Sequence, residues 1–113
     1  MSIHAKKATI AIDLAGEPLH KRGYRQEGEN AQAPLKEALA AGVLLMSPWA
    51  RVVEGLKAGT LEPQDCVLID PFCGGGTLVI EGAMMAADMA PGILRDYWGF
   101  SGWRQFDPEV FAR

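Results

Sequence analysis

The residues best able to do chemistry stand together, in Asp70-Pro71-Phe72-Cys73-Gly74-Gly75-Gly76-Thr77. A carboxylate, a thiol and a hydroxyl flank three consecutive glycines. Glycine has no side chain to hold a ligand off, so such a run lets backbone approach a small molecule closely. A short apolar stretch, Cys66-Val67-Leu68-Ile69, leads in, and an apolar helix pattern leads out. The first N–H groups of that helix offer a partial positive charge to an anion. The unit reads as strand, glycine loop, helix.

Two phosphate-binding patterns fail letter by letter. A nucleoside triphosphate loop requires Lys before the Ser/Thr, and Gly76 stands there before Thr77. A dinucleotide loop requires a third small residue three places after the second glycine, and from Gly74 and Gly76 that place is Val79. A shorter loop suits a ligand with a carboxylate and an ammonium, and S-adenosylmethionine is such a ligand. The alternative is a tight turn with no ligand, but three glycines carry an entropic cost that a plain turn does not require. Cys73 has no histidine near it in sequence and reads as a small residue lining the loop. Asp70, beside the glycines, reads as a ligand contact and not as a general base. The spacing of Cys66 and Cys73 fits no metal site.

The elements that must hold this loop follow from spacing. Cys66 to Ile69 reads as a strand buried on both faces, as in a parallel sheet. Behind the loop, Thr77 caps a helix carrying Leu78, Val79, Ile80, Ala83, Met84, Ala87 and Met89, and ending at Pro91-Gly92. Glu81 and Asp88 form its polar stripe, Glu81 as a structural acid. Upstream, Pro34 opens a helix at its first position, with Leu35, Leu39, Val43 and Met46 at helical spacing. Ser47-Pro48 stops it, and Trp49, Val52, Val53 and Leu56 make a second, short helix. Ala8 to Leu14 reads as a strand, Asp13 to Pro18 as a turn, Leu19 to Arg25 as a returning strand, and Gln26 to Gln32 as a polar loop. After Ile93 the chain is aromatic and irregular until Asp107-Pro108, which starts another helix. The class is α/β.

The chain has 113 residues, 49% hydrophobic and 22% charged, which suits one modest core. Its net charge of −3 argues against a nucleic-acid-binding surface within this piece alone. The one basic cluster, His20 to Arg25, reads as a solvated strand or turn face. No apolar run approaches the ~20 residues needed to span a bilayer, and no signal pattern opens the chain. No membrane partner is expected, and cytoplasm is the default location. A single buried strand requires neighbours, so the sequence reads as a fragment.

The runs LAGEPLHKRGYR, APLKEALAAG, DPFCGGGTLVIEGAMMAADMAPG and WGFSGWRQFD occur here in the order seen in the THUMP-domain class I S-adenosylmethionine-dependent RNA methyltransferases. The chain resembles that family from about Ala8 to its end, and is most similar to the bacterial enzymes that methylate the exocyclic amine of a guanine in large-subunit ribosomal RNA. The resemblance implies the N-terminal part of a Rossmann-like methyltransferase domain over residues 31–113, preceded over residues 1–30 by a hairpin linking it to an upstream RNA-binding region. It implies S-adenosylmethionine as cofactor, with Asp70, Phe72, Cys73, Gly74, Gly76 and Thr77 lining its methionine end and Pro34, Lys36 and Glu37 close by. Loop backbone and Asp70 would meet the ammonium, and the helix N-terminus the carboxylate.

Two positions depart from the family's usual pattern: Gly75, where serine is common, and Gly82, where alanine is usual. The ribose-binding acid and the Asn/Asp-Pro-Pro-aromatic motif that holds the amine are expected beyond Arg113. No catalytic residue and no metal ligand is therefore assigned, and the piece alone is expected to be inactive. Ribosomal RNA is the expected partner of the whole protein. Self-association of the piece, with Trp98, Phe100 and Trp103 as part of the contact, is also expected, or else a rearranged sheet that recruits Ala8 to Leu14 beside Cys66 to Ile69. Two other readings stand beside this one: an adenine-specific DNA methyltransferase, and a non-catalytic binding or assembly module.

Overall fold

A short buried face on each of three helices forms the core around which the glycine loop is placed. In a computed structural model, residues 2–25 and 34–111 are described; the loop expected over Gln26 to Gln32 lies outside them. The chain divides into two compact units, Leu19–Arg95 and the pair Met1–Pro18 with Asp96–Arg113.

The Leu19–Arg95 unit contains α1 (Glu37–Leu45), α2 (Trp49–Lys57) and α3 (Thr77–Ala86), with one 3-10 turn at Pro63–Asp65. Its buried apolar side chains are Ala40, Leu44, Trp49 and Val53, backed by Val52, Cys66, Leu68, Leu78, Met85 and Ala86. The face of α1 that is buried is not the expected one. Glu37, Ala40 and Leu44 point inward, whereas Leu39 and Val43 are exposed and Met46 is 92% exposed. Both faces of α1 are apolar, so periodicity alone could not choose between them. The helix also begins at Glu37 and not at Pro34. Lys36 is extended and its carbonyl takes the first helical amides, Leu39 and Ala40, while the Leu35 carbonyl accepts from Arg25 Nη2 (3.2 Å).

Ser47 breaks the chain between α1 and α2 as expected, its hydroxyl donating to the Leu44 carbonyl (2.7 Å) and accepting from the Trp49 amide (3.2 Å). α2 ends in a Schellman motif: Gly59 takes φ +66°, and the Thr60 and Gly59 amides donate to the Gly55 and Leu56 carbonyls. α3 ends the same way, five residues before Pro91. Asp88 adopts φ +53°, and the Met89 and Asp88 amides return to the Met84 and Met85 carbonyls. Asp88 is therefore outside the helix, paired with Lys57, and shares no stripe with Glu81.

Cys66 to Ile69 forms no strand with any partner among the described residues. Cys66 and Leu68 pack on the core, but Val67 and Ile69 are 73% and 79% exposed. The stretch is buried on one side, not both, because the helices cover a single side of it. An open apolar groove of about 440 Å³ runs beside it, lined by Trp49, Leu56, Leu68, Val79 and Ala83 among others.

In the other unit the strands are β1 (Ser2–His4) and β2 (Lys7–Thr9), antiparallel with Ile3 opposite Ala8. The hairpin thus precedes the stretch where it was expected, and neither Ile10 to Leu14 nor Leu19 to Arg25 is a strand. Asp13 makes the expected turn, Oδ1 accepting from the Ala15 and Gly16 amides (2.9 and 3.2 Å). Gly16 (φ +74°) lies against Gly99 so closely that a Cβ would stand 2.7 Å from the Gly99 Cα. Phe100 gathers the rings of Trp98, Phe106 and Phe111. The short α4 (Pro108–Phe111) starts where expected, the Asp107 carboxylate accepting from the Glu109 and Val110 amides.

Gly82 is the tightest point of the helical core. Its carbonyl accepts from Trp49 Nε1 (3.1 Å), and a Cβ there would stand 2.3 Å from Leu68 Cδ2 and 3.4 Å from Trp49 Nε1. Alanine gains about 1 kcal/mol of helix propensity and displaces only the end of a half-exposed leucine. Gly82→Ala is expected within about 1 kcal/mol of the parent. Gly82→Val, which presses on Trp49 and Leu44 as well, is expected to cost roughly 1–3 kcal/mol. Denaturant midpoints of the two variants check this.

Candidate functional site

The glycine loop meets the core at the first residue of α3. Gly76, not Thr77, is the N-cap, in the left-handed conformation at φ +73°. Gly74 is also left-handed (φ +51°). At both positions a side chain would strain the backbone. A Cβ on Gly74 would meet nothing within 4 Å, and one on Gly76 only the tip of Ile80, at 3.8 Å. The space over the loop is therefore open, and glycine is required there by backbone conformation. Phe72 and Cys73 are exposed. Asp70, half-buried, accepts from the Phe72 amide (3.1 Å), which turns the chain into the loop.

Thr77 is buried and begins the helix, and its hydroxyl accepts from Arg25 Nη2. Arg25 Nη1 lies 3.1 Å from Glu37 Oε1 at the start of α1. This guanidinium joins the two groups of expected cofactor residues, Asp70 to Thr77 and Pro34 to Glu37. Within the second group, Glu37 is buried, while Pro34 and Lys36 are exposed on the extended segment before α1.

One helical turn on, buried Glu81 accepts from the Tyr24 hydroxyl (Oε1, 3.1 Å) and from Arg22 Nη2 (Oε2, 3.4 Å). Glu81 is thus a structural acid, as expected. The basic cluster is not a solvated face. Arg22, Tyr24 and Arg25 all turn inward to the buried polar residues of α1 and α3, and Arg25 also lies 5.9 Å from the Tyr24 ring centre. A sequence signal for this exists: Glu81 sits inside the apolar run TLVIEGAMMA, and a buried carboxylate requires a donor or cation from elsewhere. No cluster of metal-ligating side chains occurs among the described residues.

Burial, then the charge of Glu81 and the hydrogen bond to it, pushes the Tyr24 hydroxyl well above the usual tyrosine range. With the folded pKa raised, this contribution to stability is complete below the unfolded value of about 10 and is lost as pH rises beyond it. Tyr24→Phe is expected to cost about 1–3 kcal/mol near neutrality and to flatten the decline above about pH 10. Urea denaturation of parent and variant at neutral and strongly alkaline pH checks both effects.

Residues 22–110 match the family of RMKL-like methyltransferase domains. The chain is 50% identical over 113 residues to a ribosomal RNA large subunit methyltransferase K/L of Marinomonas sp. (strain MWYL1), covering 100% of this chain and 14% of that protein. It is 50% identical over 111 residues to the protein of the same name from Syntrophotalea carbinolica, covering 98% of this chain and 14% of that one. For Desulfotalea psychrophila the identity is 47% over 109 residues, 96% of this chain and 14% of the relative. The chain thus spans 14% of the length of these relatives. The open glycine loop is part of the matched segment, and the chain belongs to the RMKL-like methyltransferase domain family.

Proposed function

We propose that this chain is the part of an S-adenosylmethionine-dependent methyltransferase that holds the methionine end of the cofactor, and that the whole protein methylates an exocyclic guanine amine in large-subunit ribosomal RNA. The observation that carries the first half is the loop: two left-handed glycines, open space above them, and a buried helix start behind. The first amides of α3 have no intrahelical acceptor and suit a carboxylate. Asp70 and the loop carbonyls suit an ammonium. When bound, the cofactor supplies a sulfonium-activated methyl group. This chain's residues bind and orient; holding donor and acceptor in line supplies much of the acceleration.

The second half is supported by the names of the relatives, each a ribosomal RNA large subunit methyltransferase. They favour RNA over the adenine of DNA and over a non-catalytic module. Guanine rests on the family resemblance alone. The 113 residues contain no Asn/Asp-Pro-Pro-aromatic run, so no amine-binding residue is assigned within them.

Calorimetry with S-adenosylmethionine on the whole protein tests the cofactor site. Gly74→Val and Gly76→Val are expected to abolish binding, because a branched side chain both fills the open space and resists a positive φ. Cys73→Ser is expected to keep most binding and activity. Unchanged affinity in both glycine variants would overturn the assignment. The 113-residue chain alone, given labelled cofactor and ribosomal RNA, is expected to incorporate no methyl above background.

A further inference from the structure

We propose that Arg25 is a positioning residue for the cofactor loop, its guanidinium holding the start of α3 and the start of α1 in one arrangement. The inference rests on reading the glycine loop as the S-adenosylmethionine site. One side chain reaches three points on two other segments: the Leu35 carbonyl at 3.2 Å, Glu37 Oε1 at 3.1 Å and the Thr77 hydroxyl. Thr77 directly follows Gly76, whose left-handed backbone aims the loop. Wherever Thr77 is held, the amides behind the glycines are held too. Leu35 and Glu37 flank Lys36, so the same group fixes the extended segment carrying Pro34 and Lys36.

Two features separate this from ordinary stabilisation. Thr77 and Glu37 are both buried, so neither finds a substitute partner in water, and the geometry is set by Arg25. The planar guanidinium fork can serve several acceptors at fixed angles, whereas an ammonium is a point charge. By contrast the pair of Lys57 and Asp88 is exposed and lies at the far end of α3, away from the loop.

The test uses the whole protein with Arg25→Lys, Thr77→Val and the double variant, with Lys57→Gln as control. Arg25→Lys is expected to raise the calorimetric Kd and the KM for S-adenosylmethionine about tenfold, with kcat at saturating cofactor within about twofold. Destabilisation alone would reduce the folded fraction, lowering kcat and leaving KM unchanged; that pattern would overturn the proposal. The double variant is expected to be no weaker than the weaker single, because both break one link; additive losses would also overturn it. Should Arg25→Lys fail to fold, Arg25→Gln decides: weaker binding supports the link, and parental affinity removes it. Lys57→Gln is expected to bind as the parent does. A parent protein that binds no S-adenosylmethionine, or Gly74→Val and Gly76→Val proteins that both bind normally, removes the reading of the loop itself. Parental binding in Arg25→Lys, with binding lost in Gly76→Val, removes only the role of Arg25.

Discussion

Two carboxylates, Glu37 and Glu81, are buried in a helical unit with very few fully covered side chains. Each requires donors there, since transfer of a lone carboxylate into an apolar interior costs several kcal/mol or more. Both are answered by one short stretch of chain, Arg22 to Arg25. That requirement docks an otherwise irregular segment onto α1 and α3, and brings the start of α1 beside the start of α3. The third buried polar residue, Thr77, is held by the same segment. Removing one partner from such a set costs more than the set contributes as a whole, because a buried charge is left behind.

The glycine loop depends on this arrangement. A left-handed N-cap at Gly76 gives α3 no side-chain cap, so the helix start is secured from Thr77 by tertiary contact. The loop itself stays open: Gly74 and Gly76 face space, and Phe72 and Cys73 project outward. Rigid support behind and free backbone in front suit the zwitterionic ligand proposed for the loop. At the other end of the core, the Trp49 indole donates to the Gly82 carbonyl and ties α2 to α3 where an added Cβ displaces only the end of Leu68.

The apolar stretch before the loop shows how much its surroundings decide. Val67 and Ile69 are as apolar as a doubly buried strand demands, yet the helices here cover only Cys66 and Leu68. No single helix among the described residues is long and apolar enough to cross a membrane.

Local chemistry was legible at the loop, breaks and turns, but not at the starts of α1 and α3, where Glu37 and Gly76 take the places expected of Pro34 and Thr77. The glycine loop, the helix behind it, the break at Ser47-Pro48, the Asp13 turn and the Asp107 cap all rest on residues a few positions apart, and short-range sterics and hydrogen bonds suffice to specify them. The sequence also revealed the family resemblance, because its motifs are contiguous. The inward face of α1 was not legible, since apolar residues line the helix on every side and only packing against α3 selects Ala40 and Leu44. Nor was the end of α3, where Asp88 takes a left-handed conformation more usual for glycine. Above all, Arg22, Tyr24 and Arg25 read as solvated charge because their partners stand up to 59 residues away. Only the tertiary structure brings Glu37, Thr77 and Glu81 to them, and the cost of burying those groups unpaired is what makes the contact necessary.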